Sequence, residues 1–206
     1  MTVNELGLAA LTIAAIVFGA SAAAKLRGRS AYRAYRAGIR EAAVVPGRLL
    51  PGTAAVLAGC ESVVAAASAV AAIMTAASLP GAVLVSWLAL AGAVALTSVL
   101  AAGVGVVVGR GTQASCACFG AASARPLGAA QLVRNVIMLA LLAGGLISDG
   151  LAHGGQTPAA AAIGVAAGAV AALILIRLDD LIDLFRPPAA TPRPPVTLAR
   201  RSRSMR

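Results

Sequence analysis

Five stretches of the chain are almost wholly apolar: Leu6–Ala24, Pro51–Ser78, Ala82–Val108, Ala129–Ser148 and Pro158–Ile176. The first, third and fifth carry no charge, the second carries only Glu61, and the fourth carries Arg134 near its start. Each is long enough to cross a bilayer as a helix, the form in which a lone segment satisfies its own backbone hydrogen bonds in lipid. Leu79-Pro80-Gly81 supplies the break between the second and third. Between the first two, Arg29, Arg33, Arg36 and Arg40 recur at helical spacing, while Tyr32, Tyr35 and Ile39 occupy a different arc. That pattern predicts an amphipathic interfacial helix, its arginines toward phosphate and its aromatics toward the acyl boundary.

The pattern predicts an all-α integral membrane bundle of four core transmembrane helices, a fifth span and the interfacial helix. It divides into residues 1–148 as the main transmembrane domain, 149–178 as an additional helix, and 179–206 as a basic, Pro-rich tail. Asp179, Asp180 and Asp183 suggest a short helical piece ending near Phe185, after which the tail has too little apolar content to fold alone. Small-xxx-small pairs such as Gly105/Gly109 and Gly164/Gly168 favour close helix packing. In so Ala- and Gly-rich a chain they specify no particular contact.

Composition agrees with this frame: 60% of the 206 residues are hydrophobic, 12% are charged, and mean hydropathy is +0.90. The formal charge of +10 does not point to nucleic acid, because the basic residues flank apolar runs instead of covering a folded face. They suit anionic lipid headgroups, so the bilayer is the expected partner. Their distribution also predicts orientation. All seventeen Lys and Arg fall at Lys25–Arg48, at Arg110, Arg125 and Arg134, or from Arg177 onward. Met1–Glu5, the Leu79 turn and Asp149–Thr157 hold none. Five spans then place every basic residue on the cytoplasmic side, with the N-terminus out and the C-terminus in. The first apolar stretch lacks a basic leader and is followed by its positive charges, which predicts a retained helix and not a cleaved signal. The expected location is the bacterial inner membrane.

Few residues can carry chemistry, and no hydrolytic or nucleotide-dependent motif appears. Glu61 lies well inside the second span, where a carboxylate costs several kcal/mol unless protonated, paired or hydrated. Arg134 is its expected partner, and Asn135 beside it can cap the helix start. Cys60 reads as a small packing residue. Cys116 and Cys118 share the loop Ser115-Cys116-Ala117-Cys118-Phe119-Gly120, with Arg110, Arg125 and Arg134 near enough in sequence to favour thiolate. Such a pair can form a reducible disulfide, exchange with another thiol, hold a soft ion such as Cu(I), or simply fill a tight turn. The one histidine, His153, falls on the opposite side of the predicted topology, so no zinc site is expected, and no cofactor motif is present.

Several of these residues together carry a resemblance. Phe18-Gly19 with Lys25, the Tyr-containing basic helix leading to Leu49-Leu50-Pro51, Glu61, and Gly109-Arg110-Gly111 running into Cys116-Ala117-Cys118-Phe119-Gly120 and Arg134-Asn135 resemble the methylamine utilisation protein MauE family. That family is a branch of the DoxX-like membrane proteins, and the resemblance covers about Leu6 to Leu146. It implies an accessory role in processing, transport or maturation of the disulfide-rich small subunit of methylamine dehydrogenase, beside a thioredoxin-like partner. It also implies Cys116 and Cys118 as a redox pair, with Glu61, Arg134 and Asn135 around it. Ala117 stands where the family commonly has Gly. A structural scaffold and a small-molecule or metal-ion carrier are the alternative readings.

The topology has a direct check. Reporter fusions after Gly155 and after Arg206 should report opposite sides, Gly155 extracytoplasmic and Arg206 cytoplasmic; the same side for both would eliminate five spans.

Overall fold

Residues 3–111, 115–116, 125–126, 128–151 and 157–184 are described by a computed structural model. Six helices carry the fold: α1 (Val3–Leu26), α2 (Arg29–Ala42), α3 (Leu50–Ala76), α4 (Ala82–Gly109), α5 (Ala129–Leu151) and α6 (Pro158–Leu184). All but α2 are long and apolar enough to cross a membrane, which is the expected set of five. The strands β1 (Ser115–Cys116) and β2 (Arg125–Pro126) form a minimal antiparallel pair in the α4–α5 connection. Cys118 and the tail beyond residue 184 lie outside the described residues.

Helix boundaries follow local chemistry. Pro51 sits in the first turn of α3, where its missing N–H costs nothing. Thr157 precedes Pro158 and accepts the Ala160 N–H on its Oγ1 at 3.2 Å, capping α6. Gly81 takes a left-handed conformation (φ 81°) that lets the chain reverse between α3 and α4. The α3–α4 turn is pinned by a 2.8 Å hydrogen bond between the Thr75 and Ser86 hydroxyls.

Helices α1, α3, α4 and α5 form a closed ring of neighbours, each touching the next, and α6 packs on α1 from outside. This makes α1 the most enclosed of the spanning helices. Its sequence is apolar on every side, as a helix surrounded by others requires. Leu8 and Leu11 of α1 with Leu90 and Leu142 are fully buried and anchor the interior. The outer faces of α3 to α6 expose Val, Leu and Ile, as lipid-facing surfaces do.

Two expectations change. The segment with Asp179, Asp180 and Asp183 is no separate piece, since α6 continues unbroken to Leu184. The pair Gly164/Gly168, expected to specify nothing, marks where α6 meets the α1 backbone. A Cβ on Gly168 would lie 2.5 Å from the Ala9 carbonyl oxygen and 2.7 Å from the Thr12 Cβ, and one on Gly164 would lie 3.0 Å from the Glu5 carbonyl oxygen. Around Gly109, in contrast, there is open space.

Gly168→Val should therefore force α6 away from α1 and destabilise the protein by about 1–3 kcal/mol, while Gly109→Val should be close to neutral. Thermal unfolding in detergent compares the two, and equal midpoints would remove Gly168 from the contact.

Candidate functional site

The charged end of the bundle is built by the last turns of α1. Ser21 and Lys25 are four residues apart and so share one helix face, which is turned toward Glu61 on α3. The Lys25 Nζ donates to both Glu61 carboxylate oxygens at 2.5 Å and to Ser21 Oγ at 3.0 Å. Ser21 Oγ in turn donates to Glu61 Oε2 at 3.2 Å. The residues are nearly sealed from the surface, Lys25 at 3% and Glu61 at 1% exposure. A charge at such depth is costly alone, and the pair is tolerable because each ion is met by the other and by a hydroxyl.

Helix α2 covers this pair. On its apolar arc Tyr35, with Tyr32 and Ile39 beside it, packs on Ala54 and Ala58 of α3. The Tyr35 ring lies 4.7 Å from Lys25 Nζ, in cation–π range, and tilts at 52° against Tyr32. Burial, followed by the negative charge of Glu61, pushes the Tyr35 phenol well above its ordinary range, so it remains a neutral donor. Ala42 meets Val107, and Arg110 Nη1 donates to the Ala43 carbonyl at 3.4 Å, joining the end of α2 to the end of α4.

Beneath α2 lies a cavity of about 500 Å³. Its polar lining is Lys25, Ser21 and Tyr35, Thr53 and Glu61 of α3, Thr97 of α4 and Gln131, Arg134 and Asn135 of α5, and the remaining walls are mainly aliphatic. Gln131 and Arg134, three residues apart, are both buried at 7% exposure.

The expected site residues thus divide. Glu61, Arg134 and Asn135 are brought to one cavity, but the partner that grips Glu61 is Lys25 and not Arg134. The physical reason is that α1 continues to Leu26, two residues past its uncharged stretch, carrying Lys25 inward where α1 and α3 are in contact. Arg134 approaches from α5, across the cavity. Cys60 does not pack inside; it is exposed on α3. The Cys116 backbone lies in β1, against α2, with Arg125 as its cross-strand neighbour. The Cys116–Cys118 pair as a pair falls outside the described residues. Lys25, Ser21 and Tyr35 were legible only in part: the Ser-x-x-x-Lys spacing at the end of an apolar run is their signal.

The family description "Methylamine utilisation protein MauE" matches residues 3–148. The chain belongs to the MauE family. No curated protein and no solved structure matches it. The matched region takes in α1 to nearly all of α5, including the ion pair, the cavity and the cysteine loop, and leaves α6 outside. With five helices able to cross a bilayer, this MauE-family protein is a multi-pass membrane protein.

The ion pair yields a double-mutant cycle. Lys25→Met and Glu61→Leu should each cost about 3–5 kcal/mol, because each strands a buried ion, and the double variant should cost less than their sum. Unfolding in detergent measures the coupling; strict additivity would mean that the pair contributes nothing as a pair.

Proposed function

We propose that this MauE-family protein is a membrane accessory factor that handles thiols and disulfides during maturation of a partner protein, through Cys116 and Cys118. The family match over the loop supports the reading. The observation that carries it is local. β1 sets the Cys116 backbone beside α2 and opposite Arg125, at the end of the bundle where Arg110 also lies. Basic residues close in sequence, Arg110 and Arg125, support the reading, since a nearby cation favours the thiolate, the reactive form.

The chemistry requires two steps. One cysteine thiolate attacks a partner disulfide, forming a mixed disulfide and expelling one partner thiolate. The second cysteine attacks that mixed disulfide, closing the Cys116–Cys118 bond and releasing the second partner thiolate. The partner gains two electrons and the loop loses two, so a thioredoxin-like dithiol is required to reduce the loop again. The client in this reading is an exported, disulfide-rich protein, which in the family's setting is the methylamine dehydrogenase small subunit. The one-sided basic residues support a bacterial inner-membrane location with the loop facing the cytoplasm. The pair then carries reducing equivalents inward of the membrane and reaches the client through a partner.

Cys116→Ser and Cys118→Ser should each abolish maturation of the client without changing abundance in the membrane, and Cys60→Ala should leave it intact. The variant lacking the resolving cysteine should accumulate a mixed disulfide, visible on non-reducing gels after acid trapping. Normal maturation by the double serine variant would refute the thiol reading and leave a scaffold role.

A further inference from the structure

The cavity beneath α2 takes no part in thiol exchange, and two features of its lining point to a ligand. The first is where it opens. Val99, Ala102 and Val106 fall at i, i+3 and i+7 and so share one face of α4. All three line the cavity and are exposed, as is Val44 in the connection from α2 to α3. The cavity therefore opens sideways, through an apolar mouth, onto the surface that α4 turns to the bilayer. A molecule that enters there comes from the acyl layer. The volume of about 500 Å³ is that of a small-molecule site, mostly apolar with a few convergent polar groups.

The second feature is the hydrogen-bonding capacity left at the polar end. An ammonium group has three N–H donors, and Lys25 spends them on the two Glu61 oxygens and on Ser21. The hydroxyls of Ser21, Thr53 and Thr97 donate to Glu61, the Leu49 carbonyl and the Ala93 carbonyl. Gln131 and Arg134 have interactions of their own. Among the described residues, the Asn135 carboxamide and the Tyr35 hydroxyl line the cavity without a hydrogen bond. Both groups are neutral, and each can donate and accept. From Asn135 the wall runs on to Met138, three residues along the same face of α5, with Phe18 and Leu100 also lining it.

Together these features select one class of ligand. An ionic head of either sign meets like charge here, an anion at Glu61 and a cation at Lys25 and Arg134. It also loses its hydration among aliphatic walls. A neutral head that both donates and accepts suits Asn135 and Tyr35 and leaves the ion pair undisturbed. We propose that this cavity binds an uncharged single-chain lipid with a hydroxyl or amide head, taken from the bilayer past Val99 and Val106. The head lies at Asn135 and Tyr35, and the chain follows Phe18, Leu100 and Met138. The site is independent of the cysteines.

Binding of radiolabelled hexadecanol to the full-length protein in phosphatidylcholine nanodiscs, measured above protein-free nanodiscs, tests the proposal. Hexadecanol should bind saturably at one per chain. Hexadecane lacks the head, and hexadecyl sulfate and hexadecylamine carry opposite charges at neutral pH; each should compete at least about tenfold less well than unlabelled hexadecanol. Asn135→Leu should weaken binding about tenfold, and Tyr35→Phe, which keeps the ring over Lys25, should weaken it several-fold. Leu100→Trp should block binding by filling the chain's path. The Cys116→Ser/Cys118→Ser variant should bind as the wild type does, which separates this site from thiol chemistry. Absence of saturable binding to the wild type, or competition by the alkane or by either ionic analogue equal to that by the alcohol, overturns the proposal. If Asn135→Leu does not fold, the competition series on the wild type decides.

Discussion

The ion pair between Lys25 and Glu61 is the constraint on which the charged end of the bundle depends. Helices α1 and α3 are rich in Ala, Val and Gly and nearly featureless around their circumference, so apolar contact alone would let them slide or rotate at little cost. A buried lysine and glutamate remove that freedom. Each is tolerable only when the other is opposite it, so one contact fixes depth and rotation together. Such pairs are better understood as devices of register than as sources of net stability. Ser21 narrows the geometry further, since its hydroxyl accepts from Lys25 and donates to Glu61.

From that fixed point the rest of the site follows. Tyr35 needs a cation beneath its ring and a flat apolar bed, and Ala54 and Ala58 supply the bed one and two turns before Glu61. Helix α2 therefore lies across the bundle end as a cover, with Arg29, Arg33 and Arg40 exposed. The cavity is what remains when α5 does not close against the covered pair, and Arg134 looks across it from the far wall. The family match ends at residue 148, so the pair, cover and cavity lie within the matched region, while α6 lies outside it, on the outer face of α1.

The spanning segments were legible because a bilayer imposes a length and an absence of charge that few other environments demand. Glu61 and Arg134 announced themselves as the exceptions in otherwise apolar runs. Lys25 did not, because a basic residue after an apolar stretch has an ordinary reading as a topology signal, and only the three-dimensional meeting of α1 and α3 turns it inward. The tyrosines of α2 were assigned an apolar face, but the packing of Tyr35 on Ala54 and Ala58 was not legible, since amphipathicity shows that a side is apolar and not what it touches. Gly164 and Gly168 were indistinguishable by sequence from Gly105 and Gly109. What separates them is that the α1 backbone approaches the first pair. The cysteine pair remains a matter of motif and family, as Cys118 is beyond the described residues.

The central position of α1 also dictates an order of assembly. Of the six helices α1 is made before the others, yet Glu61 follows Lys25 by 36 residues, and Gly164 and Gly168 are made only with α6. During that interval the lysine has no carboxylate opposite it and is kept at the membrane surface by its long flexible stem. The backbone at Ala9 to Thr12 meanwhile faces lipid where α6 will later lie. Of these six helices the one made first is thus the last to be enclosed, and the charge of Lys25 is met only once α3 has been made.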